Sequence, residues 1–232
     1  MTWFNAWLER LYQTFIVADR YSVLIDGFKN TLIITFGAFL IGLFIGTVVA
    51  MIKVFADGNP KLKILDVLCN IYITVIRGTP VVVQLLIFFF IIFVSAKNGI
   101  PVAILTFGIN SGAYLAETIR SGIMAIDKGQ TEAGRSLGLS RMQTMTQIIL
   151  PQAIKNILPA IGNEAIALLK ETSVAGYVAV VDLTKAGNQI KNTTYDNINP
   201  ILLIALVYLA LVMIMSWLLG ILERRLRKSD RR

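Results

Sequence analysis

The sequence contains no histidine and a single cysteine, Cys69. Without histidine the commonest metal ligand, proton shuttle and triad base are all missing, and a lone cysteine forms no disulfide within the chain. Neither a resident metal nor a cofactor is expected. Charge is scarce too: 16% of residues are Asp, Glu, Lys or Arg, against roughly 25% in soluble domains. Apolar residues make up 56% of the chain, with a mean hydropathy of +0.69. A soluble enzyme is therefore excluded as the default, and 232 residues of this kind are expected to form an all-α integral membrane protein. The first residues lack a basic start, short apolar run and small-residue cleavage site, so no removable signal peptide is expected. No low-complexity segment or internal repeat divides the chain.

A bilayer core of about 30 Å needs roughly 20 mostly apolar residues per helix. Uncharged runs cover residues 31–52, 78–96, 98–116 and 201–222. Residues 153–169 are apolar apart from Lys155, Asn156, Asn163 and Glu164, as expected of a helix with its polar positions turned away from lipid. Five transmembrane helices are thus expected. The division is a 1–30 extracytoplasmic segment, a 31–222 transmembrane domain with a long inner loop at about 126–148, and a basic tail at 223–232.

If that tail is cytoplasmic, an odd number of spans places the N-terminus outside. The inner segments then hold 14 Lys and Arg, the outer ones seven, and Arg77 falls near a span end. This two-to-one bias follows the positive-inside rule. It also accounts for the net charge of +8, so the tail is a membrane-flanking anchor and nucleic acid is not an expected partner. Membrane lipid is. Ahead of the first span, Trp3, Trp7, Leu11 and Phe15 recur every four residues and line one helical face, as in a helix lying in the outer interface. Gly42 and Gly46 are a small-xxx-small pair suited to close helix packing.

The inner loop is unusually ordered. In GQTEAGRSLGLSRMQTMTQIILP, apolar side chains at Ala133, Leu137, Met142, Met145 and Ile149 suggest short helices broken at Gly134, Gly138 and Ser140. A loop helix with an exposed apolar face invites a protein partner. Glu132, Ala133 and Gly134, then Gly138, then Ile148, Leu150 and Pro151 stand in the register EAA, three residues, G, nine residues, I-x-L-P. This resembles the cytoplasmic signature of the membrane subunits of binding-protein-dependent ABC importers, with Gly134 where that family usually has alanine. The resemblance implies that Glu132, Ala133, Gly134 and Gly138 belong to coupling helices that dock on a separate ATPase subunit.

Three further stretches narrow the likeness: RGTP at Arg77, Gly78, Thr79 and Pro80 followed by VVVQLL, AYLAETIRSGI at 113–123, and NEAIALLKETSV at 163–174. They resemble polar amino-acid permeases of the histidine and glutamine type. That implies a multi-pass protein of the bacterial inner membrane, a second permease subunit as partner and an extracytoplasmic amino-acid-binding protein. RGTP is expected where an amphipathic cytoplasmic segment turns into the second span, with Pro80 starting the helix. Residues 129–136 have the spacing of a phosphate-binding P-loop, but Arg135 stands in place of its lysine and no strand precedes it. ATP binding is assigned to another chain.

Ionisable residues inside a span are candidate functional groups. Glu164 lies in the fourth span, with Glu171 seven residues on and on nearly the same helical face. Either carboxylate can accept a substrate ammonium group; an internal polar contact for Glu164, and Lys170 with water for Glu171, are the alternatives. In the third span Asn110, Ser111, Tyr114 and Glu117 form a polar stripe suited to lining a passage, although Glu117 can instead pair with Arg120 at i+3. Ser111 and Tyr114 are thus further substrate candidates. After Glu171, Thr172, Ser173 and Gly176 interrupt the helix, and residues 174–183 suit an outer gate or a plain surface helix. A stand-alone secondary transporter or channel is the competing function, opposed by the lack of repeats. A membrane-bound enzyme is opposed by the lack of a nucleophile and base at recognisable spacing.

Overall fold

The computed structural model describes residues 2–57 and 59–228. Met1 of the N-terminal segment and residues 229–232 of the basic tail lie outside the described residues. Among those described, ten α-helices follow one another: α1 Thr2–Leu11, α2 Tyr21–Ala56, α3 Lys63–Gly78, α4 Val81–Ile87, α5 Gly99–Met124, α6 Lys128–Ser136, α7 Arg141–Thr144, α8 Leu150–Glu171, α9 Leu183–Thr194 and α10 Asn199–Lys228. No strand occurs among the described residues.

Among the described residues three helices are long and apolar enough to cross a membrane: α2, α5 and α10. A fourth arises if the broken pair Pro60–Gly78 and Val81–Ile92 is taken as one span. The break has a local cause. Thr79 (φ −117°, ψ 140°) and Pro80 (φ −62°, ψ 135°) are extended, because proline disfavours helical geometry in the residue before it. Helix therefore restarts only at Val81, and a wider turn at Phe88–Ile92, closed by Phe93 N–H donating to Phe88 O at 2.8 Å, ends it. The run expected to span 78–96 is thus helical over Val81–Ile92, about 18 Å at 1.5 Å per residue. Helix α8 covers the run expected over 153–169 and extends it at both ends.

The chain divides into two compact units. One comprises Met1–Ala38, Pro80–Phe107 and Ala167–Ile214; the other comprises Phe39–Thr79, Gly108–Ile166 and Met215–Arg232. In the first, α9 lies on the start of α2: Leu183 N–H donates to Thr31 Oγ1 at 3.0 Å and Asn30 Nδ2 to Val181 O at 2.9 Å. Ile34, Ala38, Leu85, Phe107 and Leu183 are among its buried apolar residues.

In the second unit, Ala50 and Val54 of α2, Ile119 and Ile123 of α5 and Ala153 and Ile157 of α8 close one core with Ile149. Val49, Cys69, Ile73 and Ala116 form another. Gly42 and Gly46 do face a neighbour. A Cβ on Gly46 would stand 2.6 Å from Leu115 Cβ and one on Gly42 3.1 Å from Ser111 Cβ, so the small-residue pair lets α2 and α5 approach closely. Across α2 the exposed Phe36, Leu40, Phe44 and Val48 recur at helical spacing, the pattern of a lipid-facing side.

Candidate functional site

Two constellations in the second unit hold most of the expected site residues. The first lies along α5. Asn110 and Ser111 are buried, while Tyr114 and Glu117 are half-buried. Ser111 Oγ donates to Glu164 Oε1 at 3.3 Å, so the third- and fourth-span candidates meet. Glu171 lies in the last turn of α8, half-buried, in the other unit.

Three residues further along, Glu117 holds two arginines. Arg120 Nε approaches its Oε1 at 3.3 Å, the i+3 pair the spacing predicts, and Arg77 Nη1 approaches its Oε2 at 3.6 Å. The Arg77 guanidinium also stands over the Tyr114 ring at 5.2 Å from the centroid, a cation–π arrangement. Arg77 thus ties the end of α3 to the polar stripe of α5. Spacing rules reach only along one helix, so sequence reasoning missed this pair. Tyr72, also missed, donates from its hydroxyl to Ile109 O at 2.6 Å.

The second constellation is α6, α7 and the turn between them. Asp127 caps α6, accepting from Gly129 N–H at 2.6 Å. The helix runs through Gly134, which the sequence reading expected to break it, and stops after Ser136 in a turn through Gly138. There Leu139 N–H donates to Gly134 O at 3.2 Å and Gly138 to Arg135 O at 3.0 Å. Gly138 has φ +84°, the left-handed conformation that glycine adopts without penalty in a helix stop. Ser140 then caps α7 reciprocally with Gln143, a capping box.

Gly134 is buried because α6 folds back on the chain that follows it. A Cβ there would stand 2.8 Å from Thr144 Cγ2 and 3.0 Å from Ile148 Cδ1. Glu132 and Ala133 remain exposed, and Leu137 is 81% exposed. Arg141, which the sequence reading left without a role, donates to Asp57 O at 2.8 Å and Val54 O at 3.4 Å. It fastens α7 to the end of α2. A cavity of about 320 Å³, lined among others by Val54, Ile123, Glu132 and Met145, opens beside them. Residues 129–136 are helix rather than loop, so they offer no phosphate cradle.

In the first unit α8 ends at Glu171, as Thr172, Ser173 and Gly176 predict, and a tighter helical turn, Thr172–Val178, follows. Ala179 is left-handed at φ 61°, and Asp182 then caps α9 by accepting from Thr184 and Lys185 N–H. Ser173, Tyr177, Asp182 and Lys185 border a cavity of about 390 Å³.

Comparison with known proteins places these features. The family described as binding-protein-dependent transport system inner membrane component matches residues 42–228. The chain belongs to this family. As an inner membrane component it is a multi-pass membrane permease. A putative glutamine transport system permease protein of Rickettsia typhi is 38% identical over 206 residues, 88% of this chain and 92% of its own. The arginine transport system permease protein of Bacillus subtilis is 35% identical over 89% of this chain and 94% of its own.

Among solved structures, the crystal structure of an amino acid ABC transporter with histidines is 39% identical, with a TM-score of 0.82 over 91% of this chain and 98% of that one. An inward-facing MetNI methionine ABC transporter, 22% identical with a TM-score of 0.76 over 90% of this chain and 98% of that one, agrees in fold. In this permease family setting, α6 and α7 coincide with the stretch bearing the importer signature.

Proposed function

We propose that this permease carries polar amino acids across the bacterial inner membrane, driven by ATP hydrolysis on a separate subunit docked against α6 and α7. The observation that carries the reading is the α6–Gly138–α7 element: a doubly capped helical turn, rigidly fixed by Arg141 and Gly134, that leaves Leu137 81% exposed. Such an apolar projection suits a groove on a partner protein. The names of the glutamine, arginine and histidine-bound relatives support the substrate class.

In this reading five spans cross the membrane, α2, the helical segment Val81–Ile92 within the run 78–96, α5, α8 and α10, with the N-terminus outside and the basic tail inside, following the two-to-one charge bias. A partner permease, either a second copy or a homologue, completes the pathway, and an extracytoplasmic binding protein delivers the amino acid. Closure of the ATPase dimer on ATP moves α6 and α7, and the spans pass from inward- to outward-facing. Glu164 and Ser111 contact the substrate in the passage, Tyr114 lines it and Glu171 stands nearer the outer end. Arg77, Gly78, Thr79 and Pro80 form the helix break before α4.

The test is co-purification of tagged permease from gently solubilised membranes, comparing wild type with Leu137→Glu and Gly138→Glu. An ATPase subunit that accompanies wild type and is lost from the variants supports the reading. Transport that persists without ATP, with no ATPase bound, would replace it with a stand-alone secondary transporter.

A further inference from the structure

The N-terminal helix leaves an aromatic face bare. Its stripe divides in two: Leu11 and Phe15 are half-buried against the protein, whereas Trp3, Phe4, Trp7, Leu8 and Tyr12 are 79, 54, 41, 45 and 53% exposed. Asn5, Glu9 and Gln13 occupy the opposite face. An apolar face of this size left in water is costly, so something covers it.

What covers it follows from how the helix is held. Thr14 Oγ1 donates to Asp196 Oδ2 at 2.9 Å, and Arg10 Nε lies 3.8 Å from the same oxygen. The Asp196 side chain is 4% exposed and also accepts from Asn199 Nδ2 at 2.6 Å and from Ile198 and Asn199 N–H at 3.2 Å. Asn199 is the first residue of α10, whose first charged residue is Glu223. At its other end α1 is joined through a tight turn, with Ala18 at φ 58° and Asp19 at φ 52°, to the start of α2. The Asp196 fastening stands at the start of the membrane-capable α10, two residues before its uncharged run at 201–222, the level at which such a helix enters the bilayer; the turn leads into α2 ten residues ahead of its uncharged run at 31–52. Tryptophan and tyrosine favour that layer, where the ring body is apolar and the N–H or O–H stays wet.

We propose that α1 is a lipid-binding helix whose Trp3–Trp7 face sits in the headgroup–acyl boundary of the bilayer, with Asp196 as the positioning residue that sets its depth. The site takes phospholipid as a surface, and Arg10 stays with Asp196 rather than with a phosphate. The inference needs α2 and α10 to be in the membrane but does not depend on the ATPase docking.

The test uses the full chain in phosphatidylethanolamine–phosphatidylglycerol vesicles carrying brominated phospholipid. Trp7→Phe with Trp217→Phe leaves Trp3 as the reporter, and Trp3→Phe with Trp7→Phe leaves Trp217, exposed on α10, as the sign of insertion. Trp3 is expected to be quenched at least twofold more by bromines near the glycerol end of the chains than by bromines near the methyl end. Adding Asp196→Ala is expected to cut that preference by half or more. Trp3 left unquenched in vesicles that quench Trp217 overturns the proposal: accessible to aqueous acrylamide, the face is in water; shielded from it, the face is against protein. An unchanged preference in Asp196→Ala overturns the positioning role.

Discussion

Ser111 Oγ donates to Glu164 Oε1 across 3.3 Å, joining α5 to α8 inside one unit of the permease. Ser111 is fully buried and Glu164 half-buried. An ionisable group at such a place is a candidate contact for a cationic group passing by. Glu164→Gln preserves shape and removes the charge. With a hydrogen bond to a charged group worth about 1.5–3 kcal/mol and about 1.4 kcal/mol per tenfold, ATP-driven amino-acid uptake in vesicles is expected to fall about tenfold or more. Ser111→Ala, which removes only one donor, is expected to cost about two- to threefold. Uptake by Glu164→Gln equal to wild type would return the pair to a packing contact.

Arg77 and Glu117 carry a second prediction. The pair is partly exposed, with side-chain accessibilities of 42% and 28%, so its strength belongs to the modest class of surface ion pairs. A double-mutant cycle of Arg77→Ala and Glu117→Ala, read from thermal unfolding in detergent, is expected to give a coupling of about 0.5–1 kcal/mol. Arg77→Lys keeps the charge but loses the planar group standing over Tyr114, and is expected to lie between wild type and Arg77→Ala. A coupling indistinguishable from zero would make the contact incidental.

These two contacts show where sequence reading stops. The uncharged runs mark α2, α5 and α10 because a bilayer leaves helix as the solution for a long apolar segment. The i+3 spacing of Glu117 and Arg120 also places their pair correctly. Arg77 stands 40 residues from Glu117 and Ser111 stands 53 from Glu164, separations at which no periodicity speaks. Helix α9 went unseen because LTKAGNQIKNTT is mostly polar; it is helical through the Asp182 cap and its packing on Thr31. Gly134 was misread as a break because glycine is a poor helix former, whereas tertiary contact with Thr144 requires a residue without a side chain.

Asp196 gives a pH prediction. Burial by itself raises its carboxyl, but hydrogen bonds from Asn199, Thr14 and Ile198 outweigh that and hold it below the ordinary carboxylate range. A depressed folded value means that the group stabilises the fold above the unfolded value, about 3.9, and that this is lost as pH falls through the lower folded value. Asp196→Asn is therefore expected to melt lower than wild type at pH 7, by about 1–3 kcal/mol, with the gap narrowing below about pH 4. Parallel melting curves in detergent at both pH values check it. A gap unchanged in acid would mean that the charge contributes nothing.

The α6–α7 turn separates two roles for glycine. Gly138 has open space around it but a left-handed backbone at φ +84°, so Gly138→Ala meets no neighbour and is expected to cost about 1 kcal/mol from backbone strain. Gly138→Asn, better tolerated in that conformation, is expected to cost less. Gly134 is the reverse case: it is helical, and a Cβ would stand 2.8 Å from Thr144 Cγ2. Alanine there gains about 1 kcal/mol of helix propensity but overpacks the turn, at about 1–3 kcal/mol. Gly134→Ala is thus expected to weaken ATPase stimulation, and Thr144→Ser, which deletes the clashing methyl while keeping the hydroxyl bond to Ser140 O, is expected to restore it. Thr144→Ser is not expected to rescue Gly138→Ala. Measuring ATP hydrolysis by the assembled transporter for the four variants checks both statements. Rescue of neither, or of both, would show that α6 does not work through its contact with Thr144.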